Sequence, residues 1–205
     1  MSEKKDKATV NAYSIVMREI KIRAECMNLA MIVPNGLPLQ LIREYCFLQL
    51  RLICELIALG CTIAHRDISA TARIRKEYSA EKIMNQLEQL QPDFFPWPLE
   101  LLMITSKGFA MKLADETTLT KSELLALYGK CGDVLHRGNL GDFFAGDRLS
   151  TSNTYDEVND WKRKIISLLF NHRIMLAKTK SVIVCTFDDQ KHQVRVGIGD
   201  RYESA

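Results

Sequence analysis

The chain is short of residues that break helices, and its charges nearly balance. Its 205 residues include five prolines and ten glycines, and the formal net charge is +3. This composition is that of an ordinary globular protein, long enough for one domain with a sizeable core. A charge of this size permits nucleic-acid binding without indicating it, because dedicated nucleic-acid-binding proteins concentrate basic residues in a patch.

The sequence also lacks the patterns that bind metals and cofactors. None of the six cysteines forms a CxxC pair or lies at zinc spacing from a histidine. There is no glycine-rich phosphate loop and no acidic cluster spaced for magnesium. We therefore predict no metal and no cofactor. Free thiols in this number and the absence of an apolar signal-peptide core at the N-terminus favour a cytoplasmic location.

What the chain does have is one long apolar stretch between Pro38 and Asp67. From Tyr45 to Ala64 the only charged residues are Arg51 and Glu55. A helix that is hydrophobic all round is normally buried in the middle of a bundle. Two charges near its middle make a membrane span costly, so we predict a core helix and no membrane partner. The two charges lie one helical turn apart, which favours an ion pair between them.

Apolar periodicity predicts four more helices. The first covers about residues 12–32, and the second runs from a cap at Ser69 or Thr71 to about Leu90. The third begins at the capping box Thr120–Glu123 and ends at about His136, and the fourth begins at the capping box Thr154–Glu157 and ends at about Lys178. Residues 1–9 are predicted to be a flexible tail. The inward face of the first helix is predicted to consist of Ile15, Ile22, Leu29 and Val33.

The remaining segments predict β-structure and connectors. Residues 182–198 form two short strand-like apolar segments on either side of the polar turn residues DDQK, which indicates a hairpin. Residues 101–113 fit either a second hairpin or helices. In the proline-rich connector before them, Phe94, Phe95 and Trp97 either pack on the bundle or form a ligand groove. The predicted fold class is mainly α: about five helices in a bundle over residues 1–180, with a C-terminal hairpin, 181–205, packed on the same domain.

The helix that ends at His136 is the second notable stretch. Gly129 and Gly132 precede the histidine by about two turns and one turn, which leaves a shallow groove beside the imidazole. Such a groove admits either a closely packed helix or a substrate. An unperturbed imidazole titrates near neutral pH and is a plausible general acid or base, or else it interacts with the last carbonyls of its helix. Lys130 lies on a solvated face, and Asn139 is a cap, a turn residue or a polar site group.

The other histidines have structural interpretations. His65, Arg66 and Asp67 point in different directions from a helix, so they are predicted to cap its C-terminus rather than to converge on one atom. His172 is predicted to be a hydrogen-bonded histidine at the edge of the core. His192 falls in the predicted hairpin and is expected to be solvated.

A bundle whose central helix carries Leu50-Arg51-Leu52 and Glu55, with a later helix ending Leu135-His136-Arg137-Gly138-Asn139, resembles HEPN proteins. The resemblance covers the helical pattern of about residues 12–178. The family is α-helical, is common in bacterial defence and toxin–antitoxin systems, and its active members are dimeric, metal-independent endoribonucleases. Their motif is an arginine followed after four to six residues by a histidine. In this chain Lys130, not arginine, stands six residues before His136.

The resemblance implies a site and a set of partners. His136 would move the proton in RNA cleavage, and Arg51 or Arg137 would stabilise the charged phosphate. The implied substrate-binding residues are Gly129, Lys130, Gly132 and Asn139. RNA and a second copy of the chain are the implied partners. The alternative is a non-catalytic module that recruits a partner protein through a face of the bundle or the edge of the 182–198 hairpin.

Overall fold

The computed structural model describes residues 2–32, 36–66, 74, 76–105, 108–136, 155–176, 181–188 and 193–200. The helices of this part of the chain are α1 (Ser2–Ile32), α2 (Leu39–Ala64), α3 (Ala80–Leu90), α4 (Lys121–Leu135) and α5 (Asp156–Phe170). Its strands are β1 (Trp97–Thr105), β2 (Gly108–Leu113), β3 (Asn171–Met175), β4 (Ser181–Asp188) and β5 (Gln193–Asp200). The predicted class, mainly helical with hairpins, is confirmed.

α2 is the central helix, as predicted. α1, α3, α4 and α5 all pack against it. Its thiols Cys46, Cys54 and Cys61 are fully buried and act as small apolar side chains, and all six cysteines of the chain are free. α2 has the length and hydropathy of a membrane span, but most of it is buried inside the protein, as in the core helix of a soluble bundle.

α1 is longer than predicted and turns a different face inward. It begins at Ser2, where a flexible tail was predicted. Ile15, Ile22 and Leu29 are 63%, 50% and 60% exposed, and Val33 lies outside the described residues. The buried row is instead Tyr13, Met17, Ile20, Ala24 and Met27. The prediction was wrong because α1 carries two apolar rows, and periodicity alone does not say which one a neighbour will cover.

Gly60 is the point of close approach between α1 and α2. A Cβ added to Gly60 would lie 3.1 Å from Cε of Met17 and 3.3 Å from Cε2 of Tyr13. Real Cβ atoms rarely have contacts this tight, so the glycine lets the two helices pack without displacing the Tyr13 ring.

The five strands form one antiparallel sheet in the order β2-β1-β3-β4-β5. The predicted C-terminal hairpin is β4 and β5, paired along the full length of both strands. β1 and β2 form the second hairpin, so the hairpin alternative for residues 101–113 is the one observed. β3 lies between the two hairpins and joins them, through Pro98 opposite His172 on one side and all five of its residues on the other.

β3 was not predicted. The last helix was expected to continue to about Lys178, but α5 ends at Phe170 and Asn171–Met175 is extended. His172 and Ile174 are buried and their neighbours are half-buried, which is the alternation of a strand. The apolar residues of this segment fit both a helical and a strand period. Pairing with a strand on each side selects the extended conformation. The sheet therefore takes residues from within the predicted helical domain.

The helix caps follow the predicted chemistry where they are described. Thr120 and Glu123 form the predicted capping box, in which Oε2 of Glu123 accepts from the Thr120 backbone N at 2.8 Å. α3 begins later than predicted, with Ser79 as its N-cap. The other predicted caps, Ser69, Thr71 and Thr154, lie outside the described residues.

The aromatic connector packs on the body of the protein. Phe94 is buried and meets the ring of Phe95 edge to face, with centroids 6.1 Å apart. Nε1 of Trp97 donates to the carbonyl of Ala114 at 3.0 Å, which fixes the start of β1. A cleft of about 230 Å³ adjoins Phe95 and Trp97, so packing on the bundle and lining a groove are not exclusive here.

Two buried histidines tie the helices to each other and to the sheet. His172 is fully buried; its Nδ1 donates to the Leu169 carbonyl at 2.9 Å and its Nε2 accepts from the Tyr13 hydroxyl at 2.7 Å. His65 caps α2, and its Nδ1 donates to the Cys61 carbonyl at 2.8 Å. Both structural interpretations are confirmed. Burial lowers the pKa of His172 to about 4 and also lowers the pKa of His65.

We expect stability to fall as the pH is lowered from about 6.5 toward 4. The unfolded chain binds a proton at His172 below its ordinary pKa of 6.5, whereas the folded protein binds it only near 4. The free energy of unfolding should therefore be about 2 kcal/mol lower at pH 5 than at pH 7 from His172 alone, with His65 acting in the same direction. Urea unfolding at the two pH values measures this, and equal free energies would contradict it.

Candidate functional site

Tyr128, Gly132 and His136 are spaced by four residues and lie on one side of α4. Tyr128 is half-buried, Gly132 is buried and His136 is exposed. His136 is the C-cap, with its backbone N donating to the Gly132 carbonyl at 2.9 Å. The row of three residues therefore ends, where the chain leaves the helix, at an imidazole accessible to solvent.

The guanidinium of Arg51 lies against this row from α2. Its Cζ is 4.5 Å from the centroid of the Tyr128 ring, a cation–π distance, and its Nη2 donates to the Tyr128 hydroxyl at 3.1 Å. A Cβ added to Gly132 would lie 3.3 Å from Nη1 of Arg51. Gly132 thus leaves the space that the guanidinium occupies, one helical turn from His136.

Glu55 completes the cluster. Its Oε1 lies 3.4 Å from Nε of Arg51, which confirms the predicted ion pair, and accepts from the Tyr128 hydroxyl at 3.3 Å. Hydrogen bonds therefore run in one direction, from Arg51 to Tyr128 to Glu55, and they orient all three side chains. The side chains of Arg51 and Glu55 are about one third exposed (32% and 33%), so the pair sits at the surface end of the core where an anion can reach it.

The other predicted residues of this site are placed differently. Gly129 is exposed and a Cβ added to it would meet nothing within 4 Å. Lys130 forms an ion pair with Glu157, whose other oxygen accepts from Nη2 of Arg43 at 3.1 Å. Arg137 and Asn139, the remaining predicted site residues, lie outside the described residues. Within the described part of the chain the two glycines do not form a groove for another helix, because the Arg51 side chain fills the space at Gly132 and the space at Gly129 is open.

Sequence reasoning missed Tyr128. Its position four residues before Gly132 and eight before His136 was the available signal, since residues at this spacing share a helix face. The neighbouring thiol of Cys131 was also assigned no role. Burial raises its pKa to about 12 even though Arg51 opposes the shift, so this cysteine is an inert core residue rather than a nucleophile.

Comparison with protein-family models, with curated proteins and with solved structures finds no match to this chain.

Alanine substitutions at the two glycines of α4 should change the stability of the protein by different amounts. Gly129→Ala should stabilise the protein by up to about 1 kcal/mol, because alanine favours helix and its methyl group has open space. Gly132→Ala gains the same propensity but must displace the Arg51 guanidinium, so its net gain should be smaller or negative. Urea unfolding of both variants tests the difference, and equal stabilisation would show that Arg51 is not held against Gly132.

Proposed function

We propose that this protein is a cytoplasmic, HEPN-like, metal-independent endoribonuclease of a bacterial or mobile-element defence or toxin–antitoxin system. The observation that supports the proposal is the contact of the Arg51 guanidinium with α4 one turn before the exposed imidazole of His136. Gly132 and His136 are one helical turn apart, about 5.4 Å along the axis of α4, so the guanidinium beside Gly132 and the imidazole of His136 could contact the same phosphodiester group. Arg51 takes the place of the arginine that the family motif carries near its histidine and that this sequence lacks.

The proposed reaction uses a general base and a fixed cation. His136 takes the proton from a ribose 2′-hydroxyl, and the freed O2′ attacks the adjacent phosphorus. The P–O5′ bond to the next nucleotide breaks, and the leaving O5′ takes a proton from water. The products are a 2′,3′-cyclic phosphate and a 5′-hydroxyl. Arg51 stabilises the negative charge that builds up on the phosphoryl oxygens. Because Tyr128 and Glu55 already orient the guanidinium, little reorganisation is needed as the reaction proceeds.

The other members of the proposed site would hold the RNA strand. Gly129 leaves the backbone of α4 open to a close approach, and Lys130 brings a cation to the same turn of helix. Arg137 and Asn139 follow His136 directly in the sequence and are proposed as phosphate and base contacts.

The proposed enzyme acts as a homodimer through an apolar face of α1 and α2. The face contains exposed residues from both helices: Ile15, Ile22, Leu29, Leu41, Leu48 and Leu59. α1 and α2 pack side by side, and Nη1 of Arg23 donates to Oε1 of Gln49 between them at 2.8 Å. Scattered exposed leucines are ordinary, but an apolar face shared by two helices indicates an interface.

A second copy of this chain fits the face in size and position. α2 has 26 residues and is therefore about 39 Å long, and two adjacent helices are about 20 Å wide. This gives at most about 800 Å² per partner, the size of a standard stable interface. Leu48 lies one turn before Arg51 on α2, and Leu59 one turn after Glu55, so the Arg51 cluster adjoins the edge of the face.

The second candidate function is a non-catalytic interaction module, and the edge strand β5 favours it. β5 is one of the two edge strands of the described sheet and pairs with β4 through all eight of its residues. An extended segment of a partner protein could pair with its other edge as a sixth strand. The two functions differ in their requirement for His136, which lies on α4 and not in the sheet.

We expect purified wild-type protein to cleave single-stranded RNA in the presence of EDTA. His136→Ala should lower the rate about 100-fold or more, because it removes the general base. Arg51→Lys keeps the charge but loses the planar contact with Tyr128, and should also be strongly impaired. A gel assay on a labelled oligonucleotide, with the fold of each variant checked by circular dichroism, measures both effects.

Lys82→Ala is the control for nonspecific loss of charge, since Lys82 is exposed on α3. Full activity in a folded His136→Ala variant would refute the assigned role of the histidine. An inactive wild-type protein that is folded and dimeric would refute the ribonuclease and favour the interaction module.

Leu48→Arg should convert the proposed dimer to a monomer, because it places a charge in the apolar face. Tyr78→Arg is the matched control, since Tyr78 is 88% exposed on the segment before α3, outside the face. Light scattering after size-exclusion chromatography distinguishes the two states. A wild-type protein that is monomeric at tens of micromolar would contradict this interface, whatever its activity.

A further inference from the structure

A second cleft, of about 360 Å³, lies between α1, α5 and β4. Its floor is apolar and includes Ile166 and Phe187, while Asn28, Ser167 and Lys162 bring polar groups to its walls. None of these residues belongs to the Arg51 cluster, which is built from α2 and α4. The cleft therefore needs an explanation of its own.

Lys162 is the informative residue of this cleft. Its ammonium donates to Oδ1 of Asn28 and, at 2.8 Å, to Oδ1 of Asn159. Both acceptors are neutral amides, and within the described part of the chain no carboxylate forms an ion pair with Lys162. Burial accordingly lowers the pKa of this lysine. A partly desolvated cation with only neutral partners has an unused capacity to bind an anion.

Other charged residues lie around the cleft. Lys21 lines it, although its side chain is only 8% exposed, with Nζ 6.0 Å from the centroid of the Phe187 ring. Arg163 stands on the rim and pairs with Asp160 at 2.8 Å. The lining also includes the carboxylate of Glu25, and within the described part of the chain Lys162 is the cation of the cleft whose hydrogen-bond acceptors are both neutral.

We propose that this cleft binds a phosphate group that is part of a larger ligand, with Lys162 as its principal cation. A phosphate matches the geometry because its oxygens accept from an ammonium while Asn28 and Ser167 offer further hydrogen bonds. The cleft is too large for a phosphate ion alone, and its floor of Ile166 and Phe187 suits the sugar or base attached to it. The phosphate belongs either to a free nucleotide or to an RNA backbone.

The test uses a pair of substitutions at Ser167, an exposed lining residue. Ser167→Asp places a carboxylate beside the cations and should weaken phosphate binding about tenfold or more. Ser167→Asn loses the same hydroxyl and has the same shape as the Asp variant without its charge, so it should bind phosphate about tenfold or more tightly than Ser167→Asp. Calorimetric titration of pyrophosphate, of adenosine monophosphate and of a short single-stranded RNA measures binding by each protein.

The three probes separate the two sources of phosphate. A difference between the Asp and Asn variants with adenosine monophosphate assigns the cleft to a free nucleotide, whereas a difference with pyrophosphate alone would contradict the proposed larger ligand. A difference with RNA alone assigns it to a backbone phosphate. If no probe distinguishes the two variants, the proposal is wrong. Lys162→Met, with Lys82→Met as its control, provides a second comparison in which only the former should lose binding.

The proposal stands independently of the ribonuclease. Substitutions at Ser167 leave Arg51 and His136 in place, and His136→Ala leaves the cleft unchanged, because the two groups of residues lie on different helices. Failure of one proposal is therefore distinguishable from failure of the other.

Discussion

The apolar surface of α2 has to be removed from water on nearly every side, and the neighbours that cover it determine the rest of the structure. α1 closes against it at Gly60, while α3, α4 and α5 pack on its other faces. The burial of one such helix is among the largest favourable contributions that a chain of this length can make to folding. Arg51 and Glu55 belong to the same helix, so the core itself sets the position of the candidate site. A site mounted on a rigid buried element is held more accurately than one carried by loops.

The protein handles its charges in two ways. At the Arg51 cluster and around Glu157 every described charge has an opposite partner, and the geometry is fixed by several contacts at once. The carboxylate of Glu123 is stabilised more strongly, because Lys164 and the cap of α4 together lower its pKa to about 2. Lys162 departs from this pattern because its neighbours are neutral.

Much of the architecture was predictable because its signals are local. The all-apolar helix, the capping box at Thr120 and the pairing of Arg51 with Glu55 depend on residues within one or two turns of each other. The failures concern choices that local pattern leaves open. α1 has two apolar rows, and the packing of α2 selects between them. Residues 171–175 carry both helical and strand periods, and partners on each side select the strand. Tyr128 meets Arg51 across 77 positions of sequence, a contact that no local pattern shows.

The hydrogen bond between Tyr13 and His172 joins residues 159 positions apart. During synthesis Tyr13 is added to the chain long before His172, which accepts its hydrogen bond. Until β3 exists the Tyr13 hydroxyl lacks this acceptor, so the packing of α1 gains the hydrogen bond only after most of the chain has been made. One such bond contributes about 1 kcal/mol net, and the apolar surface that the strands cover contributes more. Chains cut short before residue 172 should therefore be less stable than the whole protein.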